Sequence, residues 1–366
     1  MRTVLRTAAA AASLLLVLAA CAADEEPIPE PDEPSDTEAA DEADDTEEDD
    51  ETVADEPEEE FETVSLTFQL NWTWYPADHA YFQVGAAQGF YEDVGLDVTF
   101  QEGTGSGTTL SLVGTGDSPL GFVDAGTMMR GVGEGLPVRA IGVITQVSPM
   151  AVIFPAEKGY ETADDLVGAT IAVTFGDALE QVFPAVLGAN DIPADDVTMV
   201  GTPNPPAKET LVLTGDADAL MGYYTEQAPR LEVTQGVEMS WLSFADMGVN
   251  TLNMSIVANA DWLDENPEVA RRFIQATQRA IEFTIENPEQ AAEIFSEAHP
   301  DFELELTQGQ IVESVPLLQT DHSQGQPYLW TAEEDWLETR RLMVDFAELE
   351  NVADDISEYY TNEFIE

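Results

Sequence analysis

The sequence predicts an α/β protein of two lobes of like fold, with a cleft between them. Three observations lead to that expectation. Residues 64–366 form a 303-residue body, long enough to divide into two lobes. Short apolar runs alternate with helical patterns along it, the pattern of α/β layers. One corner is also written twice: GDSPLGFVDAG (116–126) and GDADALMGYY (215–224) each pass from Gly-Asp through a short apolar strand to side chains at its carboxyl end. Gly116 and Asp117 thus correspond to Gly215 and Asp216, and Asp124 to Tyr223. Ligands of open α/β sheets gather beyond the carboxyl ends of the strands, so two such edges facing each other make a cleft. The expected division is residues 64–155 plus 250–366 for lobe one and 156–249 for lobe two.

Taken in order, VSLTFQL (64–70) alternates as a first strand, and YFQVGAAQGFY (81–91) reads as a helix with Gly89 near its end. LDVTF (96–100) is a second strand, followed by the glycine-rich turn GTGSG and a helix over about 108–114. LGFVD (120–124) and VRAIGVI (138–144) are further strands. The second lobe repeats the grammar: ATIAVT (169–174) as a strand, Phe175-Gly176-Asp177 opening a helix through Leu187, a strand over 197–200, and a helix over 207–213. The chain from Asp261 onward reads as helical, over 267–285, 288–298 and 333–349. Asn266-Pro267 and Asn287-Pro288 are cap-then-proline signals for two of those starts.

The two ends of the composition differ sharply. MRTVLRTAAAAASLLLVLAAC places two arginines before an apolar run too short to cross a bilayer comfortably, the layout of a secretory signal peptide. Its Leu18-Ala19-Ala20-Cys21 ending resembles a bacterial lipobox, which implies cleavage and a lipid-modified Cys21. Cys21 is the only cysteine, so neither a disulfide nor cysteine-based catalysis is available to the mature chain. Residues 24–62 then hold 23 Asp and Glu, five Pro and no Lys or Arg. Such a stretch cannot bury enough apolar surface to offset its ordering entropy, and 22–63 is expected to be a disordered acidic tether. A flexible chain of that length reaches roughly 35 Å, and a charged one further.

The body carries 50 acidic against 10 basic residues, a net charge near −40. Phosphate recognition needs clustered Lys and Arg, so nucleic acid is excluded as a partner. Scarce lysine and abundant acid suit solubility in a salty or alkaline exterior, and they disfavour a strongly anionic ligand.

LNWTWYPADHAYFQVGAAQGFYEDVGLDV, GTGSGTT, GFVDAG, VRAIGVI, DLVGATIAV and NPEVARRFIQAT occur in that order. Together they resemble the substrate-binding proteins of bacterial ABC importers. More narrowly, they resemble the group containing nitrate, sulfonate and taurine binders and the binders of thiamine pyrimidine precursors. The resemblance covers nearly all of 64–366. It implies a periplasmic-binding-protein fold that closes on a small molecule and delivers it to an ABC permease, without cofactor or metal and without chemistry of its own. With the lipobox, it implies a monomer anchored by lipid to the outer face of the cell membrane. A planar nitrogen heterocycle such as a thiamine pyrimidine precursor is the expected ligand. The alternatives are a sulfonate, taurine or nitrate binder, a sensory binding module, or an enzyme on the same fold. Fungal pyrimidine synthases of the group carry a cysteine-rich iron motif that has no counterpart here.

Candidate ligand contacts cluster where the fold delivers them. Asn71, Trp72 and Trp74 follow the first strand. An aromatic ring stacked on a planar ligand contributes about 0.5–1.5 kcal/mol beyond its area burial, although either tryptophan could fill core instead. Tyr81 and Phe82 are read as core. His79 has no histidine nearby, since His299 and His322 lie far along the chain; it is read as a hydrogen-bond donor or a helix-start residue rather than a metal ligand. Ser106 and Thr108 offer hydroxyls at a helix N-terminus, where backbone N–H groups also point outward. Asp124 could accept from a ligand amine or satisfy its own turn, and Asp177 could cap a helix or meet ligand. Tyr223 and Tyr224 alternate, so one should face the cleft. Asn250 lies near the return crossover.

Overall fold

The computed structural model describes residues 62–365, apart from 175–177, 203–204 and 347–348. The leader with Cys21, nearly all of the acidic stretch, and Asp177 lie outside the described residues.

Five strands, β1 (Val64–Gln69), β2 (Leu96–Gln101), β3 (Leu120–Asp124), β4 (Val138–Val143) and β10 (Met254–Asn259), form one sheet in the order β2-β1-β3-β10-β4. A second sheet holds β5 (Met150–Pro155), β6 (Thr170–Thr174), β7 (Thr198–Thr202), β8 (Ala219–Tyr223) and β9 (Met239–Ser243) in the order β7-β6-β8-β5-β9. The two sheets share one plan. Each has four strands running in one direction and a fifth, β10 or β5, running antiparallel to both its neighbours. In each case the antiparallel strand is the one the chain enters after crossing from the other sheet. MAVIFP (150–155), expected at the end of lobe one, is therefore a central strand of the second sheet. The boundary falls before residue 150 because β5 pairs with Tyr223 and its neighbours rather than with β4.

Helices α1 (Pro76–Ala87), α2 (Phe90–Asp93), α3 (Ser106–Thr115) and α4 (Ala125–Gly133) belong to the first lobe, and α5 (Ala178–Ala189), α6 (Pro205–Thr214) and α7 (Tyr224–Gln235) to the second. The returning chain adds α8 (Ala260–Glu265), α9 (Pro267–Glu286), α10 (Pro288–Ala298), α11 (Leu304–Ser314) and α12 (Glu333–Phe346). Both sheets are covered on both faces, which is why their strands read as apolar runs rather than strict alternations. Successive residues go to opposite cores. Phe122 and Ile256 join Phe68, Phe82 and Phe273 on one face, while Val123 and Val257 join Met128 and Trp336 on the other. In the second sheet Val152 and Phe154 face one cluster, Ala151 and Ile153 the other.

The start of α1 falls at Pro76, five residues before the expected start, because proline suits the first helical turn, where no N–H is needed. Asn266 and Asn287 do not cap the helices that follow them. Their side-chain amides instead donate to Trp262 O (2.9 Å) and Phe283 O (3.0 Å), satisfying the last carbonyls of the preceding helices.

Two crossovers, 144–149 and 244–253, join the sheets. Asn250 ties one to the other: its Oδ1 accepts the Ser148 N–H at 2.8 Å and its Nδ2 donates to Gln146 O at 3.1 Å. Expected as a ligand contact, Asn250 is a clasp within the hinge, since both ends of its amide are engaged by the opposite crossover.

Candidate ligand cleft

The first wall grows out of β1. Beyond Gln69 the chain turns through Asn71–Tyr75 into α1, and His79 locks that turn. Its Nδ1 accepts the Tyr75 N–H at 3.0 Å, which leaves Nε2–H to donate to Asn71 Oδ1 at 2.8 Å. The ring is therefore the neutral Nε2–H tautomer. Burial, reinforced by His299, pushes its pKa down to about 3, so the imidazole stays uncharged at any physiological pH. With its oxygen taken by His79, the Asn71 amide is oriented. Its Nδ2 lies 3.7 Å from Met254 Sδ, and its second N–H has no hydrogen-bond partner among the described residues.

The glycine-rich turn braces this wall. Gly103 N–H donates to Trp72 O at 3.0 Å and Gly105 N–H to Asn71 O at 2.7 Å. A Cβ on Gly103 would stand 2.1 Å from Leu70 O, and Gly105 has φ +138°, so both places require glycine. Two backbone N–H groups expected to face a ligand are thus engaged within the wall. The tryptophans divide the remaining work. Trp74 packs edge-on against Phe100 and Phe295 and lies 4.7 Å from the His299 ring. Trp72, 55% exposed, has no such packing.

The second wall is the mirrored corner. β8 ends at Tyr223, the residue preceding α7. Tyr224 turns away and stacks on Trp241, with centroids 4.9 Å apart and planes 5° off parallel. Tyr223 is the one that lines the cleft, and Glu226 stands one turn further on. Phe302, between α10 and α11, closes the side. Together these groups bound a cavity of about 460 Å³, within the range of small-molecule sites.

Of the residues expected from sequence, Asn71, Trp72, Trp74, His79, Ser106 and Tyr223 come together here. Three others do not. Thr108 is exposed on α3, away from the cavity lining, because the two helical steps from Ser106 turn its side chain by about 200°. Asp124 is the N-cap of α4, its carboxylate accepting the Thr127 N–H at 2.8 Å and the Thr127 hydroxyl at 3.1 Å. Asn250 is held in the hinge. The Ser106 hydroxyl accepts the Asp124 N–H at 3.2 Å, linking the rim of the cavity to that cap.

Sequence reasoning missed Tyr75, Asp78, Glu226 and Phe302. Asp78 and Glu226 bring two carboxylates into one cavity from opposite lobes. Burial, then the Glu226 charge, pushes the Asp78 carboxyl up to about 7. Burial likewise raises Glu226, against the pull of Arg230. The one available signal was spacing: Asp78 precedes His79, and Glu226 follows Tyr223 by three residues, so each carboxylate lies near an expected contact. Among the described residues, no Lys or Arg lines this cavity. Among the described residues, no group of three His, Cys, Asp or Glu side chains could hold a metal ion, and no helix is long and apolar enough to cross a membrane.

A family model described as NMT1/THI5 like matches residues 76–291, from the first turn of α1 into α10. The chain belongs to the NMT1/THI5-like family. This NMT1/THI5-like chain is 23% identical over 296 residues to a formylaminopyrimidine-binding protein of Halalkalibacterium halodurans, covering 77% of this chain and 88% of that one. It is 25% identical over 301 residues to the riboflavin-binding protein RibY of Chloroflexus aurantiacus, covering 78% and 81%. Most curated relatives are named as binding proteins, and two as 4-amino-5-hydroxymethyl-2-methylpyrimidine phosphate synthases. In three dimensions it is similar to the periplasmic aliphatic sulphonate binding protein SsuA of Escherichia coli, with TM-score 0.62, 13% identity, and 80% and 91% of the two chains covered. The architecture is the two-lobed periplasmic-binding-protein fold.

Proposed function

We propose that this protein is the extracytoplasmic solute receptor of an ABC import system and that its cleft takes a small planar nitrogen heterocycle. The observation that carries the ligand class is the polar lining of the cavity: an oriented Asn71 amide, two carboxylates and, among the described residues, no cation. Carboxylates at that depth accept N–H donors well and repel anions, whereas a nitrate or sulfonate site needs positive charge or converging N–H groups. Trp72 supplies a stacking face that nothing else occupies, with the Tyr223 ring also in the lining. The relatives named for formylaminopyrimidine and riboflavin support the same class. The receptor performs no chemistry: its buried His79 is neutral with both nitrogens engaged, and the sole cysteine, Cys21, precedes the body. The lipobox-like end of the leader supports anchoring through Cys21 on the outer face of the membrane, with the acidic tether giving a monomeric receptor reach toward its permease.

A thermal-shift screen of the purified protein against aminopyrimidines, flavins, taurine and nitrate tests the ligand class. Stabilisation by the heterocycles is expected. Stabilisation by taurine or nitrate alone would overturn it.

A further inference from the structure

The helices that open onto the cavity from the two lobes begin alike. Tyr75 is the N-cap of α1 and Asp78 its third residue; Tyr223 is the N-cap of α7 and Glu226 its third residue. All four line the cavity, so each lobe contributes one tyrosine and one carboxylate. An acid at the third helical position ordinarily turns back to the N-cap N–H and closes a capping box. Neither acid does so here. The Tyr75 N–H is given to His79 Nδ1 at 3.0 Å, and among the described residues no hydrogen bond reaches the carboxylate of Asp78 or of Glu226. Both side chains are half-buried, and neither carboxylate is among the fully enclosed polar atoms that lack a partner. Two unpartnered carboxylates, one from each lobe, are thus left to the space between them.

Nothing in the protein neutralises that pair. Arg230, one turn beyond Glu226, is joined to Glu209 through two contacts from its guanidinium, and Lys208 donates to Met221 O. Neither basic residue lines the cavity. A neutral ring bound here leaves two negative groups facing each other, and excluding water strengthens their repulsion. A positive ring removes it. The aromatic side chains in the lining, Trp72 and Phe302 as well as the two tyrosines, attract a cation in their own right.

Resting on the heterocycle reading above, we propose that the cleft is a charge clamp: it prefers a heterocycle bearing one positive charge, held between Asp78 of lobe one and Glu226 of lobe two and flanked by aromatic side chains. Because each lobe supplies one carboxylate, the charge of the ligand itself draws the lobes together.

Nicotinamide and 1-methylnicotinamide are suitable probes, since they share a ring and an amide and differ by one methyl group and a fixed positive charge on the ring nitrogen. Calorimetric titration of the purified protein at about pH 8 and about 0.5 M salt screens the attraction of any cation to the acidic surface. The cation should bind at least about tenfold more tightly than nicotinamide. Asp78→Asn and Glu226→Gln keep the side-chain shapes, and each should bring that ratio close to one. Glu289→Gln, at an exposed acid of α10 outside the cleft, should leave it unchanged. Equal affinities in the unaltered protein would overturn the clamp. So would a preference that survives both cleft substitutions, or one that Glu289→Gln lowers as much. If 4-amino-5-hydroxymethyl-2-methylpyrimidine or riboflavin binds and 1-methylnicotinamide does not, the clamp falls and the heterocycle reading stands. If none of the four binds, both fall.

Discussion

The two walls of the cleft are built on the same corner and use it differently. In each, a helix ends at a left-handed glycine, Gly116 (φ +79°) or Gly215 (φ +76°). In each, the threonine just before that glycine donates to the aspartate just after it, at 2.8 Å: Thr115 to Asp117 and Thr214 to Asp216. A buried strand then delivers one residue to the start of the next helix. In lobe one that residue is Asp124, whose carboxylate caps α4. In lobe two it is Tyr223, which makes no side-chain cap and lines the cavity instead. The same division runs along both walls. Lobe one's wall is braced internally, with His79 holding Asn71, the glycine turn holding the backbone, and Trp74 set into core. Equivalent position in a repeated fold therefore does not imply equivalent work; what the side chain is bonded to decides.

That contrast can be broken in four places. Trp74→Ala should have the largest effect, about 3 kcal/mol of lost stability, because it opens a gap beside Phe100, Phe295 and His299. Denaturant unfolding measures it. Trp72→Ala in the same assay should stay within about 0.5 kcal/mol, as expected at an exposed site, while weakening ligand binding. Tyr223→Ala in the second wall should lower affinity about tenfold through lost ring contact. Its counterpart Asp124→Ala should do the reverse, costing about 1 kcal/mol through the lost cap and leaving affinity within twofold. If Asp124→Ala weakens binding and Tyr223→Ala only destabilises, the assignment of the two corners is inverted.

The smallest effect concerns pH. Asp78 in the folded protein titrates near 7, above the roughly 3.9 of an unfolded aspartate. The fold thus holds the proton more tightly than the unfolded chain does. The contribution of Asp78 is most favourable below about pH 4 and is lost as pH rises through 7. Melting temperature without ligand should fall between pH 5 and pH 8, and Asp78→Asn should flatten part of that fall. Superimposable profiles for the two proteins would remove the burial argument for Asp78. A ligand donating N–H groups needs the ionised carboxylate, so its affinity should rise across the same interval.

Sequence made the local half of this structure readable. β1, β3, the glycine turn and the repeated corner each announce themselves within about ten residues, through alternation, glycine placement or an apolar run between turns. β5 and β10 do not. MAVIFP and MSIVAN show no apolar–polar alternation, and their place in a sheet depends on partners far along the chain: Met150 pairs with Tyr223 and Met254 with Asp124. The same limit governed the site. Asn71, Trp72 and Tyr223 follow from strand ends, whereas the Asp78–Glu226 juxtaposition exists only once two lobes and Phe302 from the helical tail are brought together. Thr108, Asp124 and Asn250 misled for the converse reason: their residue types suit ligand contact, but helix phase or existing hydrogen bonds take them out of the cleft.

Whether this cleft serves a heterocycle is tested most directly by calorimetric titration of the purified protein in parallel with 4-amino-5-hydroxymethyl-2-methylpyrimidine, riboflavin and taurine. Saturable binding of at least one of the two heterocycles is expected, lost or weakened in Trp72→Ala and Tyr223→Ala, with no measurable heat from taurine. Saturable binding of taurine, with neither heterocycle bound, would contradict the account.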